Sequence, residues 1–279
     1  MPQPVFSVVV PTYNRPRIIM RAIRSVLNQT FDNFELIVVD DGSTENYTAA
    51  RSLASPRVKW VTHQTNRGAA AARNTGIAHA QGHLVSFLDD DDEFLPSFLE
   101  VTYRYWAIAP DDAGPSWTQV RKTGFPEGTA PSGDHDGEPD DPFAVETFLA
   151  VGTGYGVTIP ARLLTDVGLF DENLRCVEDT DLFLRLVVAG YRPRQLSGRW
   201  VLVHSDAPHR LTDDSNSGVR LREASTLVTT YLPLLGDYPT VRGQLLHHVE
   251  CLQTQTLKDR RRSTDAPFSD PPAADRPAS

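Results

Sequence analysis

Short apolar segments alternate with amphipathic segments along the first part of the chain. The apolar segments predict β-strands at residues 6–10, 35–39, 58–61 and 84–88. The amphipathic segments predict helices at residues 17–27, 45–53 and 69–80. These strands are too apolar to leave one face in water, so the alternation predicts an α/β fold in which helices cover both faces of a mostly parallel, Rossmann-like sheet.

The second part of the chain has a less regular pattern. It predicts strands at 116–121 and 156–159, and helices at 143–151, from Glu178 onward, at 218–231 and at 241–257. Residues 124–142 are rich in Gly, Pro and Asp. This composition predicts a surface loop, with a functional lid as the alternative. Residues 260–279 have the Arg, Asp, Ala and Pro bias of a disordered end.

Composition and charge restrict the classes of partner. The chain has 279 residues, enough to bury a core, and a formal net charge of -9. A nucleic-acid or anionic-membrane surface would ordinarily need a basic patch, so this charge argues against both. The two cysteines give neither a disulfide framework nor a zinc spacing, which fits a reducing cytoplasm. We expect a cytoplasmic protein without a signal peptide or transmembrane segment, and peripheral attachment to a membrane is the remaining alternative.

Four consecutive carboxylates, Asp89 to Asp92, follow the fourth predicted strand. Such a cluster of like charges is most easily explained by a bound divalent cation, and oxygen ligands suit Mg²⁺ or Mn²⁺. Because alternate residues of an extended segment point the same way, we expect Asp89 and Asp91 on one side and Asp90 and Asp92 on the other. The alternative is a solvated acidic turn ahead of a helix.

Polar residues also follow the first two predicted strands, as Thr12-Tyr13-Asn14 and Asp40-Asp41-Gly42-Ser43. In parallel sheets, ligands bind beyond the carboxyl ends of the strands, so three strand ends are expected to converge on one crevice. Asp41 could accept hydrogen bonds from a base or a ribose there. The alternative is turn and capping chemistry, with Ser43 or Thr44 capping the next helix.

Two further segments carry candidate residues for the crevice. Arg73, on an Ala-rich helix, could bind a phosphate or stack near a base, and solvation at the surface is the alternative. Glu178 and Asp179 begin a second amphipathic helix. A carboxylate there could face a metal-bound diphosphate and take a proton from an incoming hydroxyl, or it could only cap its helix.

Candidates for contact with an acceptor are less specific. Trp117 is the best candidate for stacking on a sugar, although core packing is favoured for it. His204 and His209 lie in a polar segment that could fold over the site, and a structural role is favoured for each histidine.

With these residues, the chain resembles the family 2 glycosyltransferases of the GT-A fold. The matching motifs are FSVVVPTYNRP, SVLNQTFDNFELIVVDDGS, NRGAAAARNTGI, SFLDDDDEFLP and VEDTDLFLRL, which stand in family order between about residues 5 and 190. No single motif is specific to this family, but the five motifs in this order are.

The resemblance implies transfer of a sugar from a nucleotide diphosphate donor, with inversion at the anomeric carbon and with Mg²⁺ or Mn²⁺ as cofactor. It places the donor nucleotide at residues after the strand ends and on the Ala-rich helix: Pro11, Thr12, Tyr13, Asp41, Arg73, Asp89 and Asp90. It implies that Asp91 is the direct metal ligand of a DxD pair with Asp89. It also implies that Asp179, in the pair with Glu178, is the catalytic base.

These implications divide the chain into residues 1–110 as the donor-binding half, 111–215 as the acceptor-binding and catalytic half of the same domain, 216–258 as C-terminal helices and 259–279 as a disordered tail. The expected donor is a UDP- or dTDP-sugar. The expected acceptor is a hydroxyl or amine of a glycan, a lipid-linked molecule or a small molecule. One alternative is a catalytically silent nucleotide-sugar-binding protein. The other, a nucleotidyltransferase, would normally carry a Gly-rich loop where this chain has residues 11–15.

Overall fold

A computed structural model describes residues 3–53, 55–110, 113–123, 152–204, 216–236 and 238–264. Its strands are β1 (Phe6–Thr12), β2 (Phe34–Asp40), β3 (Val58–Thr62), β4 (Leu84–Phe87), β5 (Glu93–Phe94), β6 (Ala113–Lys122), β7 (Thr158–Pro160) and β8 (Arg192–Val203). Its helices are α1 (Ile19–Leu27), α2 (Thr48–Arg51), α3 (Ala69–His79), α4 (Phe98–Trp106), α5 (Ala161–Val167), α6 (Glu178–Val188), α7 (Ser217–Tyr231) and α8 (Pro239–Thr264).

The strands form one eight-stranded sheet in the order β3-β2-β1-β4-β7-β6-β8-β5. Strands β3, β2, β1 and β4 are parallel, so their carboxyl ends lie at the same edge. The register pairs Thr12 at the end of β1 with Asp40 at the end of β2. Strand β7 is antiparallel to both β4 and β6, while β6 and β8 are parallel. The expected mostly parallel sheet with surrounding helices is therefore confirmed.

One apolar core lies on the face of the sheet covered by α1 and α4. Val8 and Val10 of β1 belong to it, together with Ile19 and Ile23 of α1 and Phe98 of α4. All five side chains are fully buried. Apolar side chains on alternate residues of β1 thus hold these two helices against the sheet.

A second core lies on the opposite face of the sheet, where Val9 of β1 points. Phe87 of β4 joins it, and helices α5 and α6 contribute Leu163, Leu182 and Phe183. Because β1 is buried on both faces, its sequence is a continuous apolar run. This second core sets the position of α6, the helix that begins with Glu178.

The C-terminal helices α7 and α8 pack against the outer side of α6. Val177 and Leu184 share a buried cluster with Leu227 and Tyr231 of α7 and Leu245 of α8. None of the helices within the described ranges is long and apolar enough to cross a lipid bilayer.

Polar contacts reinforce the packing of α7 on α6. The Tyr231 hydroxyl donates a buried hydrogen bond of 2.7 Å to Asp181 Oδ1. The Glu223 carboxylate accepts hydrogen bonds from the backbone N–H groups of Arg175, at 3.0 Å, and Cys176, at 2.9 Å. Helix α7 therefore holds both the first turns of α6 and the segment that leads into it.

Several predicted boundaries are wrong. The helix predicted at 45–53 is only the four-residue α2, Thr48–Arg51. Strand β8 was not predicted, because arginines and Gly198 interrupt any apolar run in its sequence. Helix α8 continues to Thr264, beyond the start of the tail predicted at residue 259. The loop predicted at 124–142 and the helix predicted at 143–151 lie outside the described residues.

Two helical glycines should respond to alanine substitution in opposite directions. A Cβ at Gly76 in α3 would collide with Val9 Cγ1, whereas a Cβ at Gly243 in α8 would meet nothing within 4 Å. We expect Gly76→Ala to lower the free energy of unfolding by about 1–3 kcal/mol through overpacking. We expect Gly243→Ala to raise it by about 0.5–1 kcal/mol, since alanine favours a helix interior. Urea unfolding of both variants measures these changes, and a change of the same sign in both would contradict the packing described for α3.

Candidate active site

The carboxyl ends of β1, β2 and β4 bring three polar segments to one edge of the sheet. Thr12 ends β1, Asp41 follows β2, and Asp89 to Asp92 follow β4. Helix α3 contributes Arg73, and the first turn of α6 contributes Glu178 and Asp179.

The acidic segment after β4 is a turn, not an extended strand. The backbone N–H of Asp92 donates a hydrogen bond of 3.2 Å to the carbonyl of Asp89. As a result, carboxylate oxygens of Asp89, Asp91 and Asp92 lie within 4.8 Å of one another. The structure thus brings Asp89 and Asp91 together as expected, but the expected orientation of Asp92 is wrong because the chain turns.

These three aspartates, called the carboxylate triad below, fit a hard divalent cation. Each offers a carboxylate oxygen that could bind a metal ion, and Asp91 and Asp92 are buried. Mg²⁺ and Mn²⁺ prefer oxygen ligands of this kind. Asp92 Oδ1 also accepts a hydrogen bond of 2.9 Å from the backbone N–H of His204, which fixes the orientation of that carboxylate.

Asp90 points away from the triad. Its Oδ2 accepts a hydrogen bond of 2.7 Å from the Thr12 hydroxyl, and its Oδ1 lies 2.9 Å from a terminal nitrogen (Nη1) of Arg15. Burial raises the pKa of Asp90 to about 6 despite the nearby Arg15 charge. Asp90 and Thr12 were both expected at the donor nucleotide, but both are buried and bind each other. Their contacts join the end of β1 to the acidic turn.

Arg73 connects the two acidic segments of the chain. Its Nη1 atom lies 2.7 Å from Glu178 Oε1, and its Nη2 atom lies 3.2 Å from Asp89 Oδ1. Only 7% of the Arg73 side chain is exposed. Arg73 therefore lies between the two acidic segments, and its terminal nitrogens contact a carboxylate of each.

The two carboxylates at the start of α6 differ in their surroundings. Glu178 is buried, and burial together with the neighbouring Asp179 charge raises its pKa to about 7. Asp179 is partly exposed, and its Oδ1 accepts a hydrogen bond of 2.7 Å from the Thr180 N–H. Desolvation also raises the pKa of Asp179, an effect that the Arg73 charge opposes and the Asp89 charge strengthens. Asp179 is thus close enough to the triad to interact with it, and it is the more accessible member of the pair.

A glycine-rich segment that we did not single out from the sequence passes beside these carboxylates. A Cβ at Gly152 would lie 3.2 Å from Asp179 Oδ2, and a Cβ at Gly154 would collide with Asp89 Oδ2. Between them, the backbone of Thr153 hydrogen-bonds to Asp179. The run Gly-Thr-Gly-Tyr-Gly at residues 152–156 was the available signal, since closely spaced glycines mark places where backbone approaches another group.

Asp41 holds the start of α3. Its Oδ1 accepts a hydrogen bond of 2.9 Å from the Arg67 N–H, and its Oδ2 accepts one of 2.8 Å from the Gly68 N–H. Oδ1 also lies 2.6 Å from His63 Nδ1. The alternative that Ser43 or Thr44 caps the next helix is not seen, because α2 follows Tyr47 and has no side-chain cap. Asp41 instead binds the two backbone N–H groups that precede α3. Contact between Asp41 and a nucleotide base stays a prediction.

Pro11 and Tyr13 lie at the end of β1, beside the Asp41 turn. Pro11 is partly buried, and Tyr13 is 44% exposed. The Tyr13 ring is therefore accessible for stacking.

Of the predicted acceptor residues, the structure describes Trp117 and His204. Trp117 is 1% exposed and belongs to the core that contains Phe87, in agreement with the core packing that was favoured for it. His204 Nε2 lies 2.7 Å from Glu93 Oε1, at the outer side of the acidic turn. His209 lies outside the described residues.

Comparison with known proteins identifies the family whose sequences are similar to this chain. Residues 7–143 match the family described as Glycosyl transferase family 2. The protein provisionally named colanic acid biosynthesis glycosyl transferase WcaA, from Escherichia coli strain K12, is 31% identical over 215 residues, which cover 72% of this chain and 72% of that protein. The UDP-Glc:alpha-D-GlcNAc-diphosphoundecaprenol beta-1,3-glucosyltransferase WfgD of Escherichia coli is 40% identical over 96 residues, which cover 34% of this chain and 38% of that protein.

Two solved structures have a similar fold at low sequence identity. S. aureus TarS 1-349 in complex with UDP-GlcNAc has a TM-score of 0.69 at 18% identity, and the match covers 94% of this chain and 76% of that one. The mannosyltransferase PcManGT from Pyrobaculum calidifontis, in complex with GDP-Man and Mn²⁺, has a TM-score of 0.61 at 19% identity. This match covers 95% of this chain and 76% of that one. These similarities confirm the expected GT-A fold.

The titration of Glu178 should make the protein less stable as the pH rises. Its pKa of about 7 lies above the ordinary value of 4.5, so between these two pH values the folded chain binds this proton more tightly than the unfolded chain. The free energy of unfolding therefore falls as the pH rises through that window. Because Glu178→Gln cannot titrate, we expect urea unfolding between about pH 5 and pH 8 to show a shallower decline for it than for the wild type.

A matched control for this experiment is Glu250→Gln, because the Glu250 side chain is 74% exposed. The control should follow the wild-type pH dependence. An equally steep decline in Glu178→Gln and the wild type would contradict the raised pKa of Glu178.

Proposed function

The chain belongs to glycosyl transferase family 2 and is a glycosyltransferase, and from this premise we propose an inverting, metal-dependent transfer of a sugar from a nucleotide diphosphate donor to a hydroxyl or amine. The observation that carries the proposal is the position of Arg73, which contacts both Asp89 of the triad and Glu178 beside Asp179. This position supports a cation site and a base close to each other at the strand ends.

We place the donor at the strand ends, with its diphosphate at the triad. Asp89, Asp91 and Asp92 would hold the divalent cation, with Asp91 as the principal ligand. When bound, the cation would stabilise negative charge on the leaving diphosphate. The exposed Tyr13 ring and Pro11 would contact the nucleotide on the β1 side, and Asp41 would keep α3 in place and contact the base.

The names of the related proteins support a donor of this class. WfgD is named for UDP-Glc, and the TarS and PcManGT structures contain UDP-GlcNAc and GDP-Man. We propose a UDP- or dTDP-sugar for this chain. Since WfgD is also named for a diphosphoundecaprenol-linked acceptor, we include lipid-linked molecules and glycans among the proposed acceptors. A lipid-linked acceptor would require peripheral contact between this protein and a membrane, and cytoplasmic location is part of the proposal.

We assign the base role to Asp179. As the acceptor oxygen or nitrogen forms its bond to the anomeric carbon, the bond to the diphosphate breaks on the opposite side and the acceptor proton passes to the Asp179 carboxylate. A raised pKa strengthens this carboxylate as a base, and its partial exposure leaves it accessible to an acceptor. Glu178 would act through Arg73, because its carboxylate binds that guanidinium. One base is sufficient for transfer with inversion, since the nucleoside diphosphate leaves as an anion.

Replacing a triad carboxylate should remove the effect of metal on nucleotide binding. We expect Mn²⁺ to strengthen binding of UDP to the wild type, and Asp91→Asn to abolish that gain because a principal ligand is lost. Isothermal titration with UDP, with and without Mn²⁺, measures the difference.

Asp32→Asn is the control for this experiment, because the Asp32 side chain is 88% exposed and lies near the amino-terminal end of β2. It should behave as the wild type. If Mn²⁺ changed the affinity of the wild type for neither UDP nor GDP, this result would count against a metal-dependent site.

Replacing the proposed base should separate turnover from binding. We expect Asp179→Asn to bind UDP and Mn²⁺ as the wild type does, and to lower kcat by roughly 10²- to 10⁴-fold, the usual contribution of a general base. The donor is first identified by screening nucleotide sugars for hydrolysis, and kcat is then measured with that donor.

Asp171→Asn is a suitable control because Asp171 is exposed and its Oδ1, which accepts hydrogen bonds from Asn173, is kept as an acceptor. Wild-type turnover in Asp179→Asn would exclude Asp179 as the base.

A further inference from the structure

We propose that Arg15 binds the diphosphate of the donor, an inference that rests on the proposed function and adds a residue to its binding site. Arg15 follows the polar turn after β1 and lies beside the acidic turn after β4. The sequence analysis assigned the phosphate contact to Arg73. The structure favours Arg15 for that contact.

The backbone before Arg15 is held by the loop after β2. Asn14 has a positive φ of 53°, and its Oδ1 accepts hydrogen bonds of 2.8 Å and 3.2 Å from the N–H groups of Thr44 and Glu45. The Arg15 N–H donates a hydrogen bond of 2.8 Å to the Tyr47 hydroxyl. These contacts fix the point from which the Arg15 side chain extends.

The guanidinium of Arg15 is fixed at the edge of the triad. Its Nη1 atom lies 2.9 Å from Asp90 Oδ1 and 3.6 Å from Asp91 Oδ2. Asp90 is itself held by the Thr12 hydroxyl. The carboxylate that points away from the triad therefore orients a positive charge next to it.

The two arginines at the acidic turn differ in access. Arg73 is 7% exposed, and its two terminal nitrogens already contact Glu178 and Asp89. Arg15 is 18% exposed, and its Nη1 atom lies 3.6 Å from Asp91 Oδ2. A phosphate group bound to a cation at the triad would lie next to the Arg15 guanidinium.

The charges also favour an anion at this place. The Arg15 charge balances the buried Asp90, and beside Asp91 it would also attract an anion that binds at the triad together with a cation. A diphosphate carries more negative charge than one divalent cation neutralises, and a planar guanidinium is suited to phosphate oxygens. Arg15 would thus stabilise both the bound donor and the leaving group.

The test compares ligands that differ only in their phosphates. Uridine, UMP and UDP, and the corresponding guanosine series, are titrated in the presence of Mn²⁺ into the full-length wild type, Arg15→Gln and Arg15→Lys. We expect Arg15→Gln to weaken binding of the diphosphate by roughly 10- to 100-fold, as for loss of a hydrogen bond to a charged group. Binding of the nucleoside should not change, and Arg15→Lys should be intermediate because it keeps the charge but not the planar group.

Arg57→Gln serves as the matched control. It removes an arginine that pairs with Asp32 far from the acidic turn, and it should bind every ligand as the wild type does. Thermal unfolding and titration of Mn²⁺ alone verify that each variant keeps its fold and its triad.

Each outcome decides the assignment. A loss of affinity in Arg15→Gln that is confined to the diphosphates supports the assignment of Arg15 to the diphosphate. Wild-type diphosphate affinity in Arg15→Gln would show that Arg15 is only a counterion of the acidic turn, and an equal loss for nucleoside and diphosphate would show that it acts only through the fold of the site. Both results overturn this inference and leave the proposed function intact. A wild type that binds none of these nucleotides would overturn both.

Discussion

The arrangement of the site depends on the two ion pairs that the buried guanidinium of Arg73 makes. Arg73 joins α3 to Asp89 after β4 and to Glu178 at the start of α6. The desolvation of a buried cation is offset only while its partners are present, and removal of one partner of such a pair costs roughly 3–5 kcal/mol. The two acidic segments would otherwise repel each other, so Arg73 is what allows Asp89 and Asp179 to share one crevice.

The residue next to Arg73 strengthens this connection. Asn74 Nδ2 donates a hydrogen bond of 2.9 Å to the Phe170 carbonyl, and the Phe170 N–H donates one of 3.0 Å to Asn74 Oδ1. Alanines at 70–72 and Gly76 are buried. Their small side chains let α3 lie close to β1. Two successive residues of one helix thus hold the segment that precedes the proposed base and the turn that forms the proposed cation site.

The sequence predicts the features that depend on local pattern. The parallel strands follow from their apolar runs, and the convergence of Asp41 and the acidic turn follows from the parallel sheet. Contacts between distant parts of the chain were not predictable in the same way. Arg73 lies at the strand ends, but its partner Glu178 is 105 residues away and no periodicity specifies that pairing. Asp92 was assigned to the wrong side because the rule for extended chains does not apply to a turn.

The position of α6 depends on contacts behind the site as well as inside it. Arg73 holds its first turn from the crevice, while Tyr231 and Glu223 of α7 bind Asp181 and the backbone at Cys176 from the opposite side. A hydrogen bond to a buried carboxylate resists displacement, because leaving that group unsatisfied costs free energy. The orientation of Asp179 is therefore determined by both sides of α6. It follows that the helices after residue 216, although distant in sequence from the residues that would bind the donor, contribute to the geometry in which the proposed base meets its acceptor.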